Sequence, residues 1–225
     1  MTLRLAKADP GDLESIEALI DETAGWLRTK GTDQWSRPWP SAEGRRRRIM
    51  EGLLRRTTWL LRASGESAPV ATVTVEPAAD DWLWTPEERE ARATYLHRLI
   101  VRRTPRWRGL GGDLLRWVSH EAAARGDDYL RIDVWTSNHA LHDYYRRHGF
   151  RHVRTSSRAD YPSGMLFQRR VQASRRRPSF PFIIEPSRPA PVPAASTRPA
   201  PVTVPVRPAA GLVLPDPVPL PAGVE

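Results

Sequence analysis

The stretch Arg106-Trp107-Arg108-Gly109-Leu110-Gly111-Gly112 decides how this chain is interpreted. An apolar strand-like run precedes it, and a helical pattern begins at Leu110. Glycine lets a backbone approach an anion closely, and the first turn of a helix offers unpaired N–H groups at the positive end of its dipole. Arg102 and Arg103 add positive charge beside the stretch. The stretch therefore predicts a cradle for a pyrophosphate.

Two better-known phosphate loops do not fit this stretch. A dinucleotide-binding GxGxxG that starts at Gly109 would need a third glycine at position 114, which is leucine. No GxxxxGK run occurs, so the chain has no Walker-type loop. A glycine-rich turn with no ligand remains the alternative interpretation of the same residues.

Strand and helix signals alternate on both sides of this loop, in the order β α α β β β α β α β β. Antiparallel hairpins at the front and βαβ pieces behind imply an α/β (α+β) fold with a mixed sheet flanked by helices. The strands are predicted at 3–6, 57–63, 70–75, 94–102, 129–135, 150–156 and 164–170. The main helices are predicted at 10–30, at 41–56 with Ser41 as the cap, at 110–125 and at 138–148. A short helix is predicted after the cap Thr85.

A second motif lies downstream of the loop: Asn138, then Tyr145, then Gly149-Phe150. Together with Arg106-x-x-Gly109-x-Gly111, it resembles the signature of the GNAT N-acetyltransferases. The resemblance covers about residues 3–170 and is most specific over 94–150. It implies a GNAT-like, mostly antiparallel central sheet and an acetyl-CoA-dependent enzyme that acetylates an amine.

The resemblance also implies where acetyl-CoA, as co-substrate, would bind. The backbone at the end of the fourth strand would pair with the pantetheine arm, the glycine stretch would hold the pyrophosphate, and an asparagine would face the arm. The expected contacts are Leu99, Ile100, Val101, Arg106, Trp107, Arg108, Gly109, Leu110, Gly111, Gly112 and Asn138. No metal is expected, and the absence of cysteine excludes a thiolate site.

Direct transfer needs a base for the attacking amine and an acid for the departing thiolate. Tyr145 stands where the family often places the acid, and the alternative is an aromatic ring that packs against the cofactor. The base stays open between Asp133, His97 and an ordered water. Asp133 occupies the position of a glutamate used by ribosomal-protein N-terminal acetyltransferases, whereas His97 titrates near neutral pH.

The family builds its acceptor site from the first two helices and the segment before the fourth strand. Here those segments hold Trp35, Trp82 and Trp84, which are the expected acceptor contacts. Together with nearby acids they favour a small cationic amine. The alternatives are a protein or peptide N-terminal or lysine acetyltransferase, and a CoA-binding module without catalysis. The acids are Asp33, Asp80, Asp81, Glu87, Glu88 and Glu90.

The 225 residues carry a net charge of +9, which makes an anionic partner the first expectation. Nucleic acid is not favoured, because no binding motif appears and the basic residues are scattered. The run Arg45 to Arg48 is interpreted as a solvated helix face. No signal peptide or membrane span is recognisable, so a cytoplasmic protein is expected. A homodimer is compatible with the sequence, although nothing in it defines an interface.

The composition changes near residue 171. Fourteen of the 22 prolines lie after that point, and Pro-Ala-Pro-Val occurs at 189–192 and again at 199–202. Such sequence does not build a packed core. We therefore expect a GNAT domain over residues 1–170 and a disordered Pro/Ala/Val-rich tail over 171–225.

Overall fold

A computed structural model describes residues 1–156, 158, 160–171 and 178–186. Its centre is a mixed sheet with the strand order β6-β7-β5-β4-β3-β2-β1-β8. All neighbouring strands are antiparallel except the pairs β4–β5 and β1–β8, which are parallel. The strands are β1 (Leu3–Lys7), β2 (Thr58–Ala63), β3 (Ala71–Glu76), β4 (Ala93–Val101), β5 (Tyr129–Val134), β6 (Arg151–Thr155), β7 (Met165–Arg170) and β8 (Phe182–Ile184).

Two helices begin at the residues that the sequence predicts as caps. The side chain of Ser41 accepts from the Gly44 N–H before α2, and Thr85 and Glu88 form a capping box before α3. The predicted order of elements up to β7 is confirmed. None of the described helices is long and apolar enough to cross a membrane. The helices are α1 (Leu13–Arg28), α2 (Ala42–Leu54), α3 (Pro86–Glu90), α4 (Leu110–Ala124) and α5 (His139–Arg147).

The core lies on both faces of the sheet because successive strand residues point in opposite directions. Leu60 packs with α1 and α2 through residues such as Ile16 and Ile49. Its neighbour Leu61 belongs to the cluster that packs against α4, which includes Leu114. The helices therefore cover the two faces of the sheet. The candidate site lies at the strands in the middle of the sheet, β4 and β5.

The parallel pair β4–β5 separates part-way along its length. Backbone pairing runs from Ala93 opposite Tyr129 to Leu96 opposite Ile132, while β4 continues to Val101. On the other side of β4 the register with β3 shifts by one residue, and Arg98 takes a left-handed conformation with φ of 50°. This is a β-bulge, which bends a strand and redirects its side chains. The last residues of β4 consequently face a wedge-shaped gap.

One segment after residue 170 differs from the sequence expectation. Phe182–Ile184 forms β8, which pairs in parallel with β1 at the edge of the sheet. The rings of Phe180 and Phe182 pack against Trp107 and Trp117, which explains why this apolar run docks despite its proline-rich surroundings. Residues 187–225, which hold the repeated proline motif, lie outside the described residues.

Candidate active site

The gap between β4 and β5 opens into a cavity of about 1210 Å³. Its walls come from β4, β5, the loop between α1 and α2, the glycine stretch and α5. Leu99 and Val101 line it, whereas Ile100 points to the opposite face and is buried between the sheet and α1–α2. The unpaired backbone edge of β4 therefore faces open space along residues 97–101.

At one end of the cavity the glycine stretch begins α4. Gly109 is the N-cap, with a φ of 95° that side chains rarely adopt. A Cβ built on Gly111 would lie 2.7 Å from the Tyr144 hydroxyl, so a larger residue displaces that ring. Gly112 also lines the cavity, while Leu110 is buried in the core. At this end a ligand can closely approach the backbone of the glycines, and α4 begins there. Both features favour the binding of an anion.

Arginines surround this end, but Arg106 is not among them. It ion-pairs with Glu66 at 3.1 Å and contacts the sulfur of Met1. Trp107 lines the cavity with part of its ring and is otherwise buried. The arginines that line this end are Arg102, Arg103, Arg108, Arg116 and Arg147. The motif arginine is thus ion-paired outside the cavity lining, and other arginines line this end.

Asn138 lines the cavity, but the oxygen and the nitrogen of its side-chain amide are both hydrogen-bonded within the protein. Its Oδ1 accepts from the Leu141 N–H at 3.0 Å and so caps α5. Its Nδ2 donates to the Oε1 of Gln34 at 2.5 Å. Gln34 lies in the loop before α2, and nothing in the sequence singled it out. This pair joins the α1–α2 loop to the start of α5.

The centre of the cavity holds a buried polar cluster. The Nδ1 of His97 lies 2.9 Å from the Oδ1 of Asp133, and the Tyr161 hydroxyl donates to the Oδ2 of Asp133 at 2.5 Å. The Nε2 of His97 faces the Oε2 of Glu76 at 4.0 Å. His97 stands on β4 and Asp133 on β5, so the strand separation brings both to the mouth of the gap. The sequence did not single out Tyr161.

His97 and Asp133 in this cluster each shift the pKa of the other towards the charged form. Burial lowers the pKa of His97, but the carboxylates of Asp133 and Glu76 act against burial and the pKa is raised overall. Burial would raise the pKa of Asp133, but His97 and the hydrogen bond from Tyr161 keep it below its usual range. Asp133 is therefore held ionised, and its contact at Nδ1 orients the imidazole.

Tyr145 lines the cavity from α5 and is buried, with its ring against Tyr144 at 5.3 Å and Phe150 at 5.4 Å between centroids. Burial raises the pKa of the Tyr145 phenol well above its usual range. The phenol accordingly keeps its proton at any physiological pH. Tyr144 of the same helix also lines the cavity, next to Gly111.

The three tryptophans expected at the acceptor end have different surroundings. Trp35 lines the cavity. Trp82 is exposed and stacks edge-on against Tyr161 at 4.8 Å, outside the cavity lining. Trp84 is 2% exposed beneath Tyr95, so it belongs to the core. Trp26 and Trp39 line the cavity instead.

The acids expected to attract a cationic amine do not line the cavity. Asp33 accepts hydrogen bonds from Trp135 and Ser137, and Glu88 is paired with Arg154 at 3.0 Å. The other four are Asp80, which is partly buried, and Asp81, Glu87 and Glu90, which are exposed. Among the described residues, Asp133 is the acidic side chain that lines the cavity.

Comparison with known sequences gives two matches. The profile of the Acetyltransferase (GNAT) family matches residues 21–150. An uncharacterized N-acetyltransferase of Bacillus subtilis (strain 168), YesJ, is 31% identical over 166 residues, which are 72% of this chain and 87% of that protein.

Solved structures show the same fold. A GNAT-family acetyltransferase from Listeria monocytogenes 4b F2365 superposes with a TM-score of 0.58 at 23% identity, over 74% of this chain and 93% of that one. The PaiA N-acetyltransferase of Thermoplasma acidophilum, solved in complex with coenzyme A, superposes with a TM-score of 0.56 at 15% identity, over 76% and 99%.

Proposed function

Because the chain belongs to the Acetyltransferase (GNAT) family, we propose that it transfers an acetyl group from acetyl-CoA directly to a primary amine of a small molecule. One observation carries this proposal. The unpaired edge of β4, the glycine turn of α4 and the His97–Asp133 pair all face the same cavity. A structural neighbour solved with coenzyme A supports the choice of co-substrate.

The residues at the α4 end fit the long, anionic co-substrate. Backbone groups of Leu99 and Val101 bind the pantetheine arm in the way in which they would pair with a neighbouring β-strand. The first turn of α4 holds the pyrophosphate, and surrounding arginines such as Arg108 neutralise it. The small residue at Gly111 is what allows this approach, since a Cβ there already meets Tyr144. When bound, acetyl-CoA supplies the thioester that is attacked.

His97 is proposed as the base. Its Nδ1 lies 2.9 Å from the Asp133 carboxylate, and a neutral ring that carries its proton on Nδ1 leaves Nε2 free to accept one. The acceptor nitrogen attacks the thioester carbonyl carbon as its proton passes to Nε2, either directly or through a water. An N–H near Leu99 stabilises the oxyanion. Asp133 is then a positioning residue, which keeps the tautomer and stabilises the imidazolium.

Tyr145 is proposed as the acid. As the carbon–sulfur bond breaks, the phenol gives its proton to the departing thiolate. The phenolate is then reprotonated from solvent, and His97 releases to solvent the proton that it took from the amine. A thiol of pKa about 8.5 is a fair leaving group, so the donor need only be close and protonated. The raised pKa keeps the buried Tyr145 protonated but makes it a weaker acid than the thiol, so reprotonation of the phenolate from solvent must complete the transfer.

The shape of the acceptor end supports a small molecule. Trp35, Trp39 and Tyr161 form its walls together with α2. These aromatic side chains line the same cavity as His97 and suit a small molecule, whereas a protein substrate needs an open groove. Peptide N-termini and protein lysines remain the competing acceptors that an assay must include.

The test is the release of free CoA thiol from acetyl-CoA in the presence of polyamines, amino acids, amino sugars and peptides. We expect acceptor-dependent release with the native chain and a drop of about 10²–10⁴-fold in His97→Gln. His120→Gln, an exposed histidine of α4, serves as the matched control. Turnover confined to peptides or proteins would contradict the small-molecule acceptor. Acetyl-CoA binding without turnover on any amine would indicate a non-catalytic module.

A further inference from the structure

The acceptor end of the cavity, which lies next to His97 and α2, is lined by cationic side chains. Guanidinium groups enter it from two sides, from β4 and from α2 with the loop before it. The only acidic side chain that lines the cavity among the described residues is Asp133, and it is engaged by His97 and Tyr161. The lining arginines are Arg37, Arg45, Arg48 and Arg98.

Arg98 enters from the β-bulge of β4. Its guanidinium reaches α2, because a Cβ built on Gly52 would lie 3.4 Å from one of its terminal nitrogens. Its Nε is buried without a hydrogen-bond partner, and no carboxylate of the described residues forms an ion pair with it. Burial lowers the pKa of Arg98 to about 10, which still leaves it charged at neutral pH. Arg98 is half-buried, and Glu76 and Asp133 act on its charge without forming an ion pair with it, so a ligand can supply the direct anionic partner.

Arg48 enters from α2. Its guanidinium stacks over Trp39 at 4.8 Å and faces the Tyr161 hydroxyl. Within the described part of the chain it has no ion-pair partner, although two neighbours in the same run do. Arg45 pairs with Asp21 at 3.0 Å, and Arg46 pairs with Glu14 at 2.6 Å. The run is thus a solvated, ion-paired face only in part, because Arg48 is directed into the cavity.

Two acids lie behind this end and do not cancel its charge. Glu76 pairs with Arg55 at 2.9 Å, and its other oxygen faces His97. Asp80 is partly buried, and burial raises its pKa. Neither side chain lines the cavity, so an incoming ligand meets the arginines first.

We propose that Arg48 and Arg98 bind an anionic group of the acceptor, a carboxylate or a phosphate, and so select amines that carry one. Guanidinium groups bind both anions by paired, charge-assisted hydrogen bonds. This inference rests on the proposed function, since it names the class of amine acetylated at the same site. It replaces the cationic amine that the tryptophans and acids of the sequence favoured.

Matched acceptor pairs test the proposal. An amino acid is compared with its amide, and 2-aminoethyl phosphate with ethanolamine, by CoA release. We expect the anionic member of at least one pair to have a kcat/KM about ten- to hundred-fold higher, the value of a charge-assisted hydrogen bond. The pair that shows the difference separates carboxylate from phosphate recognition. Equal or better turnover of the neutral members, or of polyamines, overturns the proposal and leaves the acetyltransferase assignment intact.

Arginine variants locate the effect. Arg98→Met and Arg48→Met keep the aliphatic stem and should each remove most of the preference, whereas Arg47→Met, an exposed neighbour outside the cavity, should keep it. Thermal melts confirm that each variant folds. Calorimetry of the anionic members on CoA-saturated protein gives a readout without turnover. Binding that both variants lose upholds the anion site even if no amine is acetylated, and no binding of any anionic member overturns it.

Discussion

The Nδ1 of His97 lies 2.9 Å from the Oδ1 of Asp133, so the two rival candidates for the base form one pair. The pair spans β4 and β5 at the point where these strands separate. A carboxylate that is buried, ionised and hydrogen-bonded by Tyr161 is better suited to orient an imidazole than to take a proton itself. The roles of the two residues can therefore be separated by their pH dependence.

The first prediction concerns that pH dependence. His97 acts as a base only when neutral, and its pKa is raised above 6.5, so kcat/KM should rise with pH and level off above the raised pKa. Asp133→Asn removes the carboxylate that raises this pKa but leaves the burial. The rising limb of the profile should therefore move to lower pH, together with a loss of rate.

The same profiles distinguish the alternative. If Asp133 were the base, its lowered pKa would put the limb below 3.8, and no limb would appear near neutrality. Asp133→Asn would then abolish activity at every pH without a shift. His120→Gln provides the control profile, since this histidine is exposed on α4.

The second prediction concerns the acid. Tyr145→Phe keeps the buried ring and removes the hydroxyl, so kcat should fall about 10²–10⁴-fold while acetyl-CoA affinity barely changes. Steady-state kinetics and calorimetry measure the two quantities. An unchanged kcat would reduce Tyr145 to a packing residue and make Tyr144 the next hydroxyl to replace.

The third prediction concerns the glycine turn. In Gly111→Ala the new Cβ meets the Tyr144 hydroxyl at 2.7 Å, so acetyl-CoA affinity should fall, and Gly111→Glu should abolish it through bulk and like charge. The double variant Gly111→Ala/Tyr144→Phe should regain part of the affinity of Gly111→Ala. Gly25→Ala is the control, because its Cβ meets nothing closer than 3.6 Å. Unchanged affinity in a folded Gly111→Glu would mean that the pyrophosphate binds elsewhere.

Local signals in the sequence predicted most of the fold. The caps at Ser41 and Thr85 and the apolar spacing of α1 and α4 act over a few residues, so periodicity and cap chemistry suffice to find these elements. The glycine turn was predicted for the same reason. Gly109, Gly111 and Gly112 line the cavity within one short stretch of chain, and Leu110 between them is buried.

The residues that the sequence missed depend on distant contacts. Gln34 lies beside Asn138 only because the α1–α2 loop folds across α5. Tyr161 reaches Asp133 from a loop 28 residues away in the chain. Trp84 and Arg106 carried plausible signals, but long-range packing placed one in the core and paired the other with Glu66. No local pattern encodes such pairings.

The last prediction concerns β8, a strand that was not predicted because its surroundings are rich in proline. Asp113 of α4 accepts the Ser179 and Phe180 N–H groups at 3.1 and 3.0 Å, and Phe182 packs on Trp117. Truncation after residue 170 should cost about 2–4 kcal/mol from two partly buried rings and lower the Tm by several degrees, whereas truncation after residue 186 should not. Phe182→Ala should lower the Tm, whereas Ile183→Ala, a substitution at the exposed neighbouring residue, should leave the Tm unchanged. Equal melting temperatures for both truncations would show that β8 adds nothing to stability.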